Sequence, residues 1–202
     1  MIYFITAIGT DSGKTFVSAI LTEALQADYW KPIQSGLPRD TETVAELVSN
    51  SVSKFHKEAY TFTQPLSPHA AALLDKNPIQ LTTIQKPITT NTLVVEGAGG
   101  VLVPLTDNDF VIDLATHLQA EVILVINFYL GSINHTLLTL NELQKREQLG
   151  QFKVKGIIFN GTNKSSEAIV RIHCPYPCLV QLDKETNIDK ATILKYAKKI
   201  QF

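Results

Sequence analysis

Short runs of consecutive apolar residues recur along the chain, each followed by a turn and then by a segment with apolar positions at helical spacing. Leu93-Val94-Val95, Val122-Ile123-Leu124-Val125-Ile126 and Ile157-Ile158-Phe159 are apolar on successive residues, not alternating ones. A strand with one wet face alternates, so these runs predict strands covered on both faces, as in a parallel sheet. The expected strands are Ile2–Thr6, Asp28–Ile33, Thr92–Glu96, Glu121–Asn127, Val154–Asn160 and Cys178–Leu182. Helical periodicity predicts Thr15–Gln26, Thr41–Asn50, Pro68–Asp75, Phe110–Leu118, Ile133–Gln148, Ser165–Ile172 and Ile188–Ile200. Ser67-Pro68 places an N-cap residue before a proline at the first helical position. The alternation predicts an α/β fold: one domain over residues 1–202, an open, mainly parallel β-sheet with right-handed crossovers and helices on both faces. The stretch from Ser51 to Ile88 is the least regular, and is the expected place for a segment that covers a substrate.

Composition narrows the function classes. Eighteen basic residues against nineteen acidic ones leave a formal charge of −1. No global field therefore recruits nucleic acid or anionic lipid, and neither is expected as a partner. The opening Met1-Ile2-Tyr3-Phe4-Ile5 lacks a basic leader segment and reads as a first strand. The longest aliphatic run, Val122 to Ile126, is far too short to span a bilayer. The two cysteines, Cys174 and Cys178, stand without a second ligand pair, so free thiols in a reducing cytoplasm are expected.

In open α/β sheets, ligands collect beyond the carboxyl ends of the strands. Strand one runs into Ala7-Ile8-Gly9-Thr10-Asp11-Ser12-Gly13-Lys14-Thr15 and then directly into a helix. A triphosphate needs inward backbone N–H groups, a helix N-terminus and a lysine reaching the β and γ phosphates. The hydroxyl after the lysine completes a Mg2+ shell. Gly13-Lys14-Thr15 meets those needs and makes the fold P-loop NTPase-like; the loop is a variant, with Ile8 where the strict pattern has glycine and Gly9 beside it. The blander alternative is a glycine turn carrying a surface lysine.

Strand two ends in Trp30-Lys31-Pro32-Ile33-Gln34-Ser35-Gly36, soon followed by Asp40. Lys31 adds a second positive charge beside the phosphate loop, or else is an edge-strand lysine kept for solubility. Glu96 follows a buried strand and precedes Gly97-Ala98-Gly99-Gly100. A buried acid is costly unless it meets a cation, and the glycines let a ligand approach the backbone. Asp40 and Glu96 form a pair suited to hold Mg2+ against phosphates. The alternative for Glu96 is a capped turn acid.

Taken together these segments resemble the dethiobiotin synthetases. The resemblance rests on the variant loop, Trp30 to Gly36, Pro65-Leu66-Ser67-Pro68-His69, Val95-Glu96-Gly97-Ala98-Gly99-Gly100-Val101, and Leu130-Gly131-Ser132-Ile133-Asn134-His135-Thr136. Ala7 stands where the family begins its loop with glycine, and the interval from Ser35 to Asp40 is short, which makes Glu42 the alternative to Asp40. The resemblance implies a cytoplasmic Mg-ATP enzyme that carboxylates 7,8-diaminopelargonate with CO2 and closes its urea ring through a carbamate and a carbamic-phosphoric anhydride. It implies that Thr10, Lys14 and Lys31 neutralise the carbamate and the transferring phosphoryl, with Ser35 hydrogen-bonding nearby. Asp11, Ser12, Gly13, Lys14, Thr15, Glu96 and Gly99 would surround the nucleotide, Thr15, Asp40 and Glu96 the Mg2+, and Asn160 would read the adenine. Gly131, Ser132, Ile133 and Asn134 would receive the substrate carboxylate from across a homodimer interface. A helix cap with no ligand is the plain alternative there. His69 and His135 are expected to make structural hydrogen bonds.

Other classes remain in view. A partition-type ATPase switch shares the expected fold, but carries an extra lysine early in its loop, where this chain has Gly9. Ile188 to Phe202 sets Ile193, Leu194, Ala197 and Ile200 among Lys190, Lys195, Lys198 and Lys199, the pattern of a helix docked on the sheet or of one lying on a membrane. A glutamine-dependent ligase would need a cysteine nucleophile, which this chain does not set up. A binding protein without catalysis is disfavoured by Lys14, Lys31 and Glu96.

Overall fold

The computed structural model describes residues 1–200. Nine strands and seven helices alternate: β1 (Ile2–Ala7), α1 (Lys14–Leu25), β2 (Asp28–Trp30), β3 (Ile33–Ser35), α2 (Asp40–Leu47), β4 (Phe55–His56), β5 (Tyr60–Phe62), α3 (Pro68–Leu74), β6 (Leu93–Glu96), α4 (Asp113–His117), β7 (Glu121–Asn127), α5 (Ser132–Gln148), β8 (Lys153–Asn160), α6 (Lys164–His173), β9 (Cys178–Leu182) and α7 (Lys190–Ala197). A 3-10 turn covers Leu81–Thr83. The main sheet has seven strands in the order β4-β2-β6-β1-β7-β8-β9, all parallel.

The apolar runs act as expected. Along β7, Val122, Leu124 and Ile126 enter one core with α4, α5 and α6, while Ile123 and Val125 enter the other with α1 and α7. Successive strand side chains point to opposite faces, so a strand covered twice must be apolar at every position. Each such fully buried aliphatic side chain contributes about 1.5–3 kcal/mol. β1 is central, between β6 and β7, so the loop that follows it opens in the middle of the sheet's carboxyl edge.

Three expectations are corrected. The predicted strand Asp28–Ile33 is two strands. β2 pairs with β6 and β4, whereas β3 joins β5 in a separate two-stranded sheet. Pro32 lies at the break, having no N–H for a ladder, and its carbonyl accepts instead from Ala59 and Tyr60 N–H at 2.9 and 3.0 Å. In the irregular stretch from Ser51 to Ile88 the helix expected at Pro68–Asp75 forms as α3, but the short strands β4 and β5 were not expected there. The helix expected over Phe110–Leu118 is regular only from Asp113, and Asp113 accepts from Phe110 N–H at 2.7 Å.

The last helix docks on the sheet side. Ile193 and Tyr196 are buried, and Tyr196 meets Phe16 of α1 edge-on at 6.0 Å. Lys195 pairs with Glu185 at 2.7 Å. The tail of the expected Ile188–Phe202 segment, Gln201 and Phe202, lies outside the described residues. Among the described residues no helix is long and apolar enough to cross a membrane.

Candidate active site

The loop after β1 owes its shape to Gly13. Its φ of 89° is left-handed, and a Cβ there would sit 2.1 Å from Asn160 Nδ2, so both backbone and space require glycine. Asn160, at the end of β8, donates to the Ser12 carbonyl at 2.9 Å, and Ser12 Oγ donates to the Gly9 carbonyl at 3.1 Å. These bonds brace the loop from beneath. With no side-chain cap at its start, α1 presents free N–H groups of its first turn to the loop's concave side.

A cavity of about 600 Å³ opens there. Thr10, Asp11, Gly13, Lys14, Thr15, Lys31, Ser35, Asp40, Glu96 and Gly99 all line it, and Pro65 to Pro68 close one side. Gly99 (φ 66°) lets its segment run close to Val103 and Thr10, since a Cβ would stand 2.8 Å from Val103 Cγ2. Ser35 Oγ is buried and has no hydrogen-bond partner among the described residues, which suits a group reserved for a ligand.

At the cavity floor is a compact charge cluster. Lys31 Nζ lies 2.5 Å from Asp40 Oδ2, 3.0 Å from Glu96 Oε1 and 3.3 Å from the Gly97 carbonyl. Thr15 Oγ1 lies 3.1 Å from Asp40 Oδ1 and 3.0 Å from Glu96 Oε1. The Lys31–Glu96 meeting follows from register, because Trp30 pairs with Val95 and the next step brings the two together. Burial alone would push the Lys31 ammonium down, but the Glu96 and Asp40 carboxylates more than offset it, so its pKa lies above the ordinary lysine value. Lys14 is buried, and among the described residues its ammonium donates to the Gly9 carbonyl at 3.4 Å. Burial, then the nearby Lys31 charge, lowers it to about 8. A cation left so poorly matched has capacity for an anion.

Thr15, Asp40 and Glu96 offer a hydroxyl and two carboxylates converging on one point, a hard oxygen set that fits Mg2+. Among the described residues no three or more His, Cys, Asp or Glu converge, so the chain builds only part of a cation shell. That also fits Mg2+, which retains waters and takes phosphate oxygens. Glu42 is exposed and faces Arg39 at 3.6 Å, away from the cluster.

Two participants escaped the sequence reading. Tyr29 is fully buried, and its hydroxyl donates to Glu96 Oε2 at 2.9 Å. Burial and then the Glu96 charge hold its pKa well above the usual tyrosine value, so it stays a neutral donor. Strand alternation offered a signal, since Tyr29 and Lys31 share a face of the same strand segment. Gln34 donates to the Gly36 and Pro38 carbonyls at 3.1 and 3.3 Å, and accepts from Asp40 N–H at 3.2 Å. It folds the short loop, with its cis Leu37–Pro38 bond, so that Asp40 starts α2 at the cavity edge.

The structure does not bring Gly131 to Asn134 into this cavity. Gly131 (φ 98°) precedes α5; Gly131, Ile133 and Asn134 line a separate groove with Tyr129, Leu130 and Asn163, and Ser132 is buried. His135 bonds Tyr129 OH at 2.7 Å and His69 bonds Ser67 Oγ at 3.1 Å, which are structural contacts. Cys174 and Cys178 are free and neither lines the cavity.

With this geometry in hand, comparison with known proteins is informative. The family model described as an AAA domain matches residues 2–192. A protein of Cytophaga hutchinsonii named ATP-dependent dethiobiotin synthetase BioD is 55% identical, over 98% of this chain and 96% of that one. A protein of the same name from Christiangramia forsetii is 45% identical over 98% and 95%. Among solved structures, a ParA family ATPase from Chlorobium tepidum aligns with a TM-score of 0.52 at 15% identity, over 98% of this chain and 99% of that one. Cyanothece McdA in its ATP complex aligns with a TM-score of 0.55 at 12% identity, over 96% and 86%. At such identities these structures speak to the shared fold alone.

Proposed function

We infer a reaction from the family: this chain belongs to the ATP-dependent dethiobiotin synthetases, carbon–nitrogen ligases of biotin biosynthesis. The proposed substrates are 7,8-diaminopelargonate, CO2 and ATP. One amine takes up CO2 as a carbamate, and a carbamate oxygen attacks the γ-phosphorus of ATP, releasing ADP. The second amine attacks the carbonyl carbon of the mixed anhydride, phosphate leaves, and the five-membered urea closes.

The observation that carries this reading is the convergence of Lys14, Lys31, Thr15, Asp40 and Glu96 on one cavity beside an open helix N-terminus. A carbamate and a triphosphate repel one another, so bringing them together requires fixed positive charge in a dry site. Lys14 would meet the β and γ phosphates, as its buried and weakly partnered ammonium suits. Lys31 would neutralise the carbamate, with Thr10 and the unpartnered Ser35 hydroxyl adding hydrogen bonds. Thr15, Asp40 and Glu96 would hold Mg2+, which when bound spreads the charge of the transferring phosphoryl. Asn160, with Nδ2 on the Ser12 carbonyl, keeps Oδ1 for the adenine amino group. In this reading positioning and electrostatics carry the rate.

The groove at Gly131–Asn134 does not line the cavity of its own chain; as the family resemblance implies, its proposed role is to meet the substrate carboxylate at the cavity of a second subunit in a homodimer. Exposed Tyr129, Leu130 and Leu138 supply apolar surface around that helix start for such a partner. The deciding experiment is incubation with diaminopelargonate, bicarbonate and Mg-ATP, following dethiobiotin by mass and ADP by coupled assay. Folded protein that makes neither product would refute the reading.

A further inference from the structure

We propose that Tyr29 is a positioning residue that fixes which oxygen of Glu96 faces the cavity. The proposal rests on the reading that Glu96 holds Mg2+. Glu96 is 1% exposed and its two oxygens have separate duties. Oε1 meets Thr15 Oγ1 and Lys31 Nζ, each at 3.0 Å, on the cavity side. Oε2 points back into the core, where Tyr29 OH donates to it at 2.9 Å. Tyr29 itself cannot drift. Its ring is wholly buried in the core beneath α1, against Phe55 at 6.4 Å, and its strand is pinned between β4 and β6.

A buried carboxylate oxygen without a donor is costly. Without the Tyr29 hydroxyl, Glu96 is relieved by rotating so that Lys31, the adjacent cation, takes both oxygens. The ammonium already lies within bonding distance of one of them. That rotation turns a shared Oε1 into half of a closed ion pair and draws it away from Thr15. Tyr29 thus keeps Glu96 available to a cation in spite of the adjacent lysine. A carboxylate that binds metal is commonly oriented by such an outer hydrogen bond, and losing the partner weakens metal affinity 10- to 100-fold.

The test is Tyr29→Phe, which fills the same space without the donor. Mn2+ is titrated into the protein–ADP complex, with free Mn2+ read by electron paramagnetic resonance. The dissociation constant for Mn2+ should rise by about tenfold or more. Affinity for metal-free ADP should stay with the parent, which a general packing defect at the site would not allow, while the melting temperature falls by the worth of one buried hydrogen bond. The same substitution in a Glu96→Gln background should add nothing, because no carboxylate is left to orient. Equal losses in the two backgrounds would show that Tyr29 acts through packing, and would overturn the proposal. Unchanged Mn2+ affinity in Tyr29→Phe, with a clear loss in Glu96→Gln, would overturn it while sparing the metal assignment. Full Mn2+ affinity in Glu96→Gln itself would remove the metal assignment and the proposal together.

Discussion

Lys31→Met isolates the charge cluster at the cavity floor. In the parent, one ammonium sits 2.5 Å from Asp40 and 3.0 Å from Glu96, with the Lys31 and Glu96 side chains 6% and 1% exposed. Methionine keeps much of the volume and leaves two carboxylates sharing the Thr15 hydroxyl with no cation between them. Removing one partner of a buried ion pair costs 3–5 kcal/mol. The Asp40 side chain is 29% exposed and regains water, which places the loss at the low end, about 3 kcal/mol. For a domain of this size, that lowers the melting temperature by roughly 10 °C. Mg2+ should reverse the loss, because the freed carboxylates offer a cation the charge that Lys31 had neutralised. A site filled to a hundred times its dissociation constant regains about 2.7 kcal/mol. Differential scanning fluorimetry without nucleotide, with and without millimolar MgCl2, reads both effects. The parent should respond little to Mg2+ and the variant strongly, while product formation by the variant is lost. A variant that melts with the parent, or Mg2+ shifts equal in the two proteins, would refute the picture of Lys31 as internal counter-ion to a cation site.

Two further outcomes follow from the same geometry. Lys14, lowered to about 8, carries its charge below that pH, and an anion bound beside it raises its pKa again. Nucleotide affinity should therefore be greatest below pH 8, fall as pH rises through 8, and be accompanied by proton uptake above it; calorimetry in buffers of differing ionisation enthalpy measures this, and a flat profile would contradict it. If each site is shared across a twofold axis, Ser132→Asp and Lys14→Ala, both inactive alone, should regain activity as mixed dimers, since one site then carries both lesions and the other neither; verified heterodimers that stay inactive would show that each subunit builds its site alone.

The sequence by itself determined the features that depend on near neighbours. Runs such as Val122 to Ile126 declared strands covered on both faces, because period and polarity are local properties of the chain. The phosphate loop was legible for the same reason, since Gly13, Lys14 and Thr15 are consecutive and open a helix. The expected second strand, Asp28–Ile33, ran straight through Pro32, and nothing local told that Ile33–Ser35 would leave the main sheet for β5. Tertiary structure alone decided what Lys31 touches. Glu96 lies 65 residues away, and only the parallel register of β2 on β6 sets the two charges against each other. The same register turned Tyr29, in sequence an ordinary aromatic strand residue, toward the back of Glu96. Gln34 gained its hold on Asp40 only when the intervening loop folded back on itself. A chain can advertise its periodicities and its consecutive motifs. Which buried charges share a pocket depends on strand order and register, and those are fixed by apolar packing of the whole sheet between its helices.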